Sequence, residues 1–167
     1  MNRAEITFFK VITYLLLPIA FFFGLIASMM LVIALGNLQL LLPVFLLACF
    51  AIYIFTSFRF SRNIAAGIPA SQKLRDWMRV NAFVCIFMSV FFIRNAAAIL
   101  YFSDAKLQEM IQPTIDSMGS LAGGLNAEQM TGRMKSFSVF LMVMSVILLI
   151  HIIINFRLQK IFSQNNG

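Results

Sequence analysis

Five polar residues interrupt long apolar stretches of this sequence and are its candidate functional residues: Arg94, Asn95, Asn81, His151 and Asn155. An arginine brings a permanent charge that attracts an anion or a carboxylate. A histidine titrates near neutral pH, which suits a pH-sensitive gate. Asparagine amides can form hydrogen bonds between helices. Polar residues in such stretches mark functional sites more often than other positions do.

The sequence lacks the groups that catalysis or cofactor binding would need. The single histidine cannot supply two axial ligands to a haem, and Cys49 and Cys85 lie in separate apolar stretches without the spacing of a zinc site or a redox CxxC motif. No acidic residue interrupts the apolar stretches, so proton-coupled export has no carboxylate to use. We therefore expect a protein that is not an enzyme and holds no metal or cofactor.

The composition predicts that membrane-spanning helices carry these residues. Of 167 residues, 61% are hydrophobic and only 11% are charged, and the mean hydropathy is +0.91. These values exclude both a soluble domain and a disordered chain. The net charge of +7 is spread between the apolar stretches and does not form one basic face, so we expect no nucleic-acid binding.

Four spans are predicted, forming an all-α, up-down transmembrane bundle that is a single domain over residues 1–167. No charged residue occurs from Val11 to Phe58, whereas one helical span needs about 20 residues. This stretch must therefore fold back, and Gly36-Asn37 is the turn signal near its middle. The predicted spans are residues 11–35, 38–58, 80–102 and 136–156.

The basic residues predict the orientation of the chain, because Lys and Arg are retained on the cytoplasmic side of a membrane. On one side lie Arg3, Lys10, Arg59, Arg62, Lys73, Arg75, Arg79, Arg157 and Lys160. The other side has Lys106, Arg133 and Lys135, which its acidic residues outnumber. We expect both termini in the cytoplasm and the chain in a bacterial inner membrane.

The loop between spans two and three contains a turn signal at residues 66–69 and a helix start signal at Ser71. Its basic residues suit anionic lipid headgroups, either as a topology determinant or as a specific lipid or protein site. The segment NIAAGIPASQKLRDWMR resembles the middle loop of small bacterial proteins with four spans, a likeness that implies no chemistry.

The outer loop, residues 103–135, is predicted to contain a short amphipathic helix. Its apolar residues recur at helical spacing, at Leu107, Met110, Ile111, Ile115 and Met118. A break at Gly119, Gly123 and Gly124 precedes a cap signal at Asn126 and a short helix that leads to span four. This loop is either a lid or docking element over the outer face, or an interfacial helix that connects two spans.

Two hypotheses concern the partners of the candidate residues. Arg94 either extends its side chain to the outer interface or is buried, and no span of this chain supplies a carboxylate for a buried arginine. A buried Arg94 would need a helix-terminal carbonyl, a side chain such as Gln39 or Asn37, a bound anion, or an acidic group on a partner subunit, and we expect the last of these.

Asn81 and Asn95 are two heptads apart and share one face of span three with Cys85, Met88 and Phe92, a stripe expected to face protein. Asn81 and Asn155 are expected at similar depth, where a hydrogen bond would join spans three and four.

Two functions follow as expectations. The first is a non-catalytic accessory or assembly subunit, which packs against another membrane protein through its apolar surface and Arg94. The alternative is a small oligomeric transporter or channel-like protein, in which Arg94 attracts anions and His151 responds to pH. Beyond the lipid bilayer, the expected partner is therefore either another membrane protein or a second copy of the chain.

Overall fold

The computed structural model describes residues 3–118 and 126–164, which fold into five α-helices with no β-strand among them. Their bounds are α1, Arg3–Ala34; α2, Leu41–Ala66; α3, Gln72–Tyr101; α4, Asp104–Met118; and α5, Ala127–Gln164. A 3₁₀ turn, Leu38–Leu40, leads into α2. Four of the helices are long and apolar enough to cross a membrane. The predicted fold class is confirmed, and the protein is an integral membrane protein with four spanning helices.

The helices extend beyond the predicted spans. α1 begins at Arg3, before the span predicted over residues 11–35, and α2 continues past residue 58 to Ala66. An apolar run marks the part of a helix that suits hydrocarbon, whereas the backbone hydrogen bonds continue into water. The short helix predicted before span four is not separate, because α5 is continuous from Ala127 to Gln164.

The predicted turns are present, and local hydrogen bonds explain each of them. At the first turn, the side chain of Asn37 accepts a hydrogen bond from the backbone N–H of Gln39 at 3.1 Å. α2 ends at Gly67, whose φ of 67° is a left-handed conformation that favours glycine. The hydroxyl of Ser71 accepts a hydrogen bond from the N–H of Leu74 at 3.3 Å, which caps the start of α3.

The chain divides into two compact units, Met1–Met88 with Ile147–Gly167, and Ser89–Val146. The first unit contains α1, α2, the first part of α3 and the last part of α5. At one end of this unit, an apolar cluster joins all four helices: Phe9, Phe60, Ile64, Leu74, Met78 and Leu158. This cluster places the start of α1 beside the end of α5.

The second unit contains the last part of α3, α4 and the first part of α5. The predicted amphipathic helix is α4, and its residues Leu107, Ile111 and Ile115 are buried. Partly buried side chains of α3 and α5 pack against them, so the apolar face of α4 is covered by the chain itself. Met110 is exposed, and the predicted glycine break at residues 119–124 lies outside the described residues.

Candidate functional site

A cluster of buried polar side chains crosses the first unit. Three of its members, His151, Asn155 and Gln159, follow one another at four-residue spacing on α5. This spacing places them on one face of the helix, and each side chain is almost fully buried. The remaining buried members are Thr13 of α1 and Tyr53 and Ser57 of α2, and the exposed Arg79 of α3 contacts the cluster through Gln159.

The ring of His151 is held from both of its nitrogens. Its Nε2 lies 2.9 Å from the hydroxyl of Thr13, and its Nδ1 lies 2.9 Å from the hydroxyl of Tyr53. The ring of Phe9 stacks on the imidazole with a centroid separation of 4.7 Å and an angle of 15° between the planes. His151 therefore connects α5 to both α1 and α2.

The directions of these hydrogen bonds specify one form of the imidazole. Thr13 has a single hydroxyl hydrogen, which it donates to the carbonyl oxygen of Phe9 at 2.7 Å. The Thr13 oxygen must then accept a hydrogen bond from Nε2 of His151. A neutral ring with its hydrogen on Nε2 has an acceptor at Nδ1, which receives the hydroxyl hydrogen of Tyr53. The surroundings thus suit neutral histidine.

Amide side chains continue the hydrogen-bonded path from Tyr53 towards the surface. Asn155 Nδ2 donates to the Tyr53 hydroxyl at 3.2 Å and to the Ser57 hydroxyl at 3.4 Å. Gln159 Nε2 donates to Asn155 Oδ1 at 3.3 Å, and Arg79 Nε donates to Gln159 Oε1 at 3.3 Å. The path therefore links all four helices of the first unit and ends at an exposed arginine.

Through these hydrogen bonds, the cluster connects the helices of the first unit. No acidic side chain belongs to the cluster, and both nitrogens of His151 are used within the fold. Buried polar groups that have partners avoid the cost of leaving a donor or acceptor unpaired. In the part of the chain that the structure describes, no group of three or more His, Cys, Asp or Glu residues could hold a metal ion.

Asn81 lies in the first unit but does not form the hydrogen bond expected with Asn155. It is buried, and its Nδ2 donates to the carbonyl oxygen of Trp77, one turn earlier in α3, at 2.7 Å. The amide group of Asn155 instead donates hydrogen bonds to the hydroxyls of Tyr53 and Ser57 on α2. The side-chain amide of an asparagine within a helix can donate to a backbone carbonyl of the preceding turn. Two asparagines at similar depth in the membrane therefore need not bond to each other.

Arg94 and Asn95 lie in the second unit, and both are exposed. The amide of Asn95 donates to the carbonyl oxygen of Phe91 at 2.7 Å. On the stripe expected to face protein, Asn81, Cys85 and Met88 are therefore buried, whereas Asn95 is exposed. A helix drifts about 20° per heptad relative to a strict seven-residue repeat, so two heptads rotate a residue by about 40°.

Four members of the cluster are not among the residues predicted from the sequence: Thr13, Tyr53, Ser57 and Gln159. Gln159 carried a signal, because it continues the four-residue spacing of His151 and Asn155 on α5. The three hydroxyl residues carried none, since Ser, Thr and Tyr occur widely in apolar helices and no pattern states which helices are neighbours.

No family model matches this chain, and neither a curated protein nor a solved structure matches it. The geometry of its own residues is therefore the basis for assigning a function. Two features stand out in that geometry: the enclosed cluster around His151, and Arg94, an exposed cation on an apolar helix.

Proposed function

We propose that this protein is a non-catalytic accessory or assembly subunit that binds another membrane protein. The contact is an ion pair between Arg94 and a carboxylate of the partner, surrounded by apolar packing. The observation that carries this proposal is the exposure of Arg94 on a membrane-spanning helix without a partner among the described residues.

The surroundings of Arg94 support an external partner. The neighbours of Arg94 on α3 that share its face are apolar and exposed, with 57% of Val90 and 49% of Phe91 accessible. The described residues form two ion pairs, Lys135–Asp104 and Arg157–Glu5, and neither involves Arg94. An arginine in the hydrocarbon region costs at least about 2.5 kcal/mol, which a partner carboxylate would offset.

The enclosure of His151 supports a non-catalytic role. A general base or a metal ligand must reach a substrate or an ion with a free nitrogen. Both nitrogens of His151 bind Thr13 and Tyr53, and the side chain has no accessible surface. The same enclosure gives no support to the alternative of a transporter gated by this residue.

Co-purification from native membranes tests the proposal. Removing one member of a buried ion pair costs about 2 to 5 kcal/mol, so Arg94→Leu should weaken capture of the partner about 30-fold or more. Arg94→Lys keeps the charge and should retain part of the binding. Arg133→Leu makes the same chemical change at another exposed position of the second unit. Equal partner recovery with Arg94→Leu and with Arg133→Leu would contradict the proposal.

We further propose a bacterial inner membrane as the location, with both termini in the cytoplasm. The support is the excess of Lys and Arg beside the termini, at the end of α2 and at the start of α3. Reporter domains fused after Ile68 and after Ser117 in a bacterial host should be active in the cytoplasm and the periplasm, respectively. Activity of both fusions in one compartment would refute this topology.

A further inference from the structure

An open groove of about 430 Å³ lies between α2 and α3 in the first unit. Phe45, Cys49 and Ile52 line it from α2, and Val80 and Val84 line it from α3. Its volume falls within the range of about 300 to 1,000 Å³ that is usual for small-molecule sites. Because both helices are membrane-spanning, the apolar length of this groove suits an acyl chain.

One end of the groove is different, because Asp76 and Trp77 line it there. Tryptophan is typical of the interface between hydrocarbon and headgroups. The carboxylate of Asp76 is exposed and forms no hydrogen bond or ion pair with the other described residues. An anionic group at the polar end of an apolar groove favours an amphiphile with a cationic headgroup.

The carboxylate of Asp76 can accept hydrogen bonds from a primary ammonium group. Asp76 is the charged side chain that lines this groove, and Trp77 follows it directly in α3. Beyond them, Val80, Asn81 and Val84 line the groove from α3. The order along α3 is thus an anion, an interfacial tryptophan and then a mainly apolar wall.

We propose that this groove binds a phospholipid whose headgroup carries a primary amine, such as phosphatidylethanolamine. Its ammonium group pairs with Asp76, and one acyl chain lies between Ile52 and Val80. The groove between α1 and α2, which Gly24 and Ala51 line, has no charged residue in its lining and therefore no group that would select a lipid headgroup.

The chain provides its own reporter, because Trp77 is its single tryptophan and lines the groove. Full-length protein is reconstituted into mixed bilayers of phosphatidylethanolamine and phosphatidylglycerol. The acyl chains of either one lipid or the other are brominated, and quenching of Trp77 fluorescence measures which lipid lies beside it. A charge pair at an accessible site predicts about a two- to fivefold preference for phosphatidylethanolamine.

Variants at Asp76 link this preference to the proposed pair. Asp76→Asn should abolish the preference, so that the two lipids quench Trp77 about equally, whereas Asp76→Glu should keep most of the preference. Asp116→Asn makes the same charge change at an exposed position of α4 and should leave the preference unchanged. Unchanged helical circular dichroism of each variant establishes that it is folded.

Three results would overturn the proposal. The first is equal quenching by the two brominated lipids in the unmodified protein, or stronger quenching by phosphatidylglycerol. The second is a phosphatidylethanolamine preference that survives in Asp76→Asn. The third is quenching by neither lipid, which would mean that another protein segment or a second copy of the chain covers the groove.

Discussion

Removing the hydroxyl of Tyr53 should destabilise the first unit, because this one oxygen joins α2 to α5 twice. It donates to His151 Nδ1 at 2.9 Å and accepts from Asn155 Nδ2 at 3.2 Å. In Tyr53→Phe, the ring nitrogen loses its donor in a fully buried site. Two hydrogen bonds between membrane helices contribute about 0.6 kcal/mol each on average, and a buried group left unpaired costs about 1 to 3 kcal/mol. We expect a loss of about 1 to 3 kcal/mol in the free energy of unfolding.

Tyr14→Phe provides the matched control. Tyr14 lies on α1, 57% of it is exposed, and its hydroxyl forms no hydrogen bond with other described residues. Unfolding by a denaturing detergent, followed by the fluorescence of Trp77 in the same unit, measures both variants. Surface changes of this kind usually alter stability by less than about 0.5 kcal/mol. Equal stability of the Tyr53→Phe and Tyr14→Phe variants would refute the role assigned to the cluster.

Two glycines should respond in opposite directions to the same substitution. Gly67→Ala places a side chain on a residue with φ of 67°, which costs about 1 to 2 kcal/mol, although no atom lies within 4 Å of the added carbon. Gly132→Ala also meets nothing within 4 Å but lies inside α5, so it should stabilise by about 0.5 to 1 kcal/mol. Thermal unfolding followed by circular dichroism measures both changes, and shifts of the same sign would contradict this interpretation.

Much of the fold follows from hydrophobic length and turn chemistry. Apolar runs longer than a bilayer needs predict the four spans, and Gly36-Asn37 and Gly67 mark two of the turns. The buried face of α4 follows from the spacing of Leu107, Ile111 and Ile115. These features are predictable because each depends on residues close together in the chain.

The candidate site was less predictable because it depends on which helices are neighbours. The shared face of His151 and Asn155 follows from their spacing on α5, but their partners Thr13 and Tyr53 lie far away in sequence. For Asn81, the predicted bond to another helix does not form, because its amide donates to the carbonyl oxygen of Trp77 in its own helix. In an apolar sequence every face of a helix is hydrophobic, so the pattern does not distinguish lipid-facing from protein-facing residues.

Site-directed photocrosslinking in native membranes tests the central claim, that the surface around Arg94 binds another membrane protein. A photoreactive amino acid replaces Phe91, which is exposed one turn before Arg94; the control replaces Phe22, which is similarly exposed on α1. We expect a discrete adduct with a second membrane protein from position 91, lost in Arg94→Leu and absent from position 22. Adducts with lipid alone, or with a second copy of this chain, would contradict it.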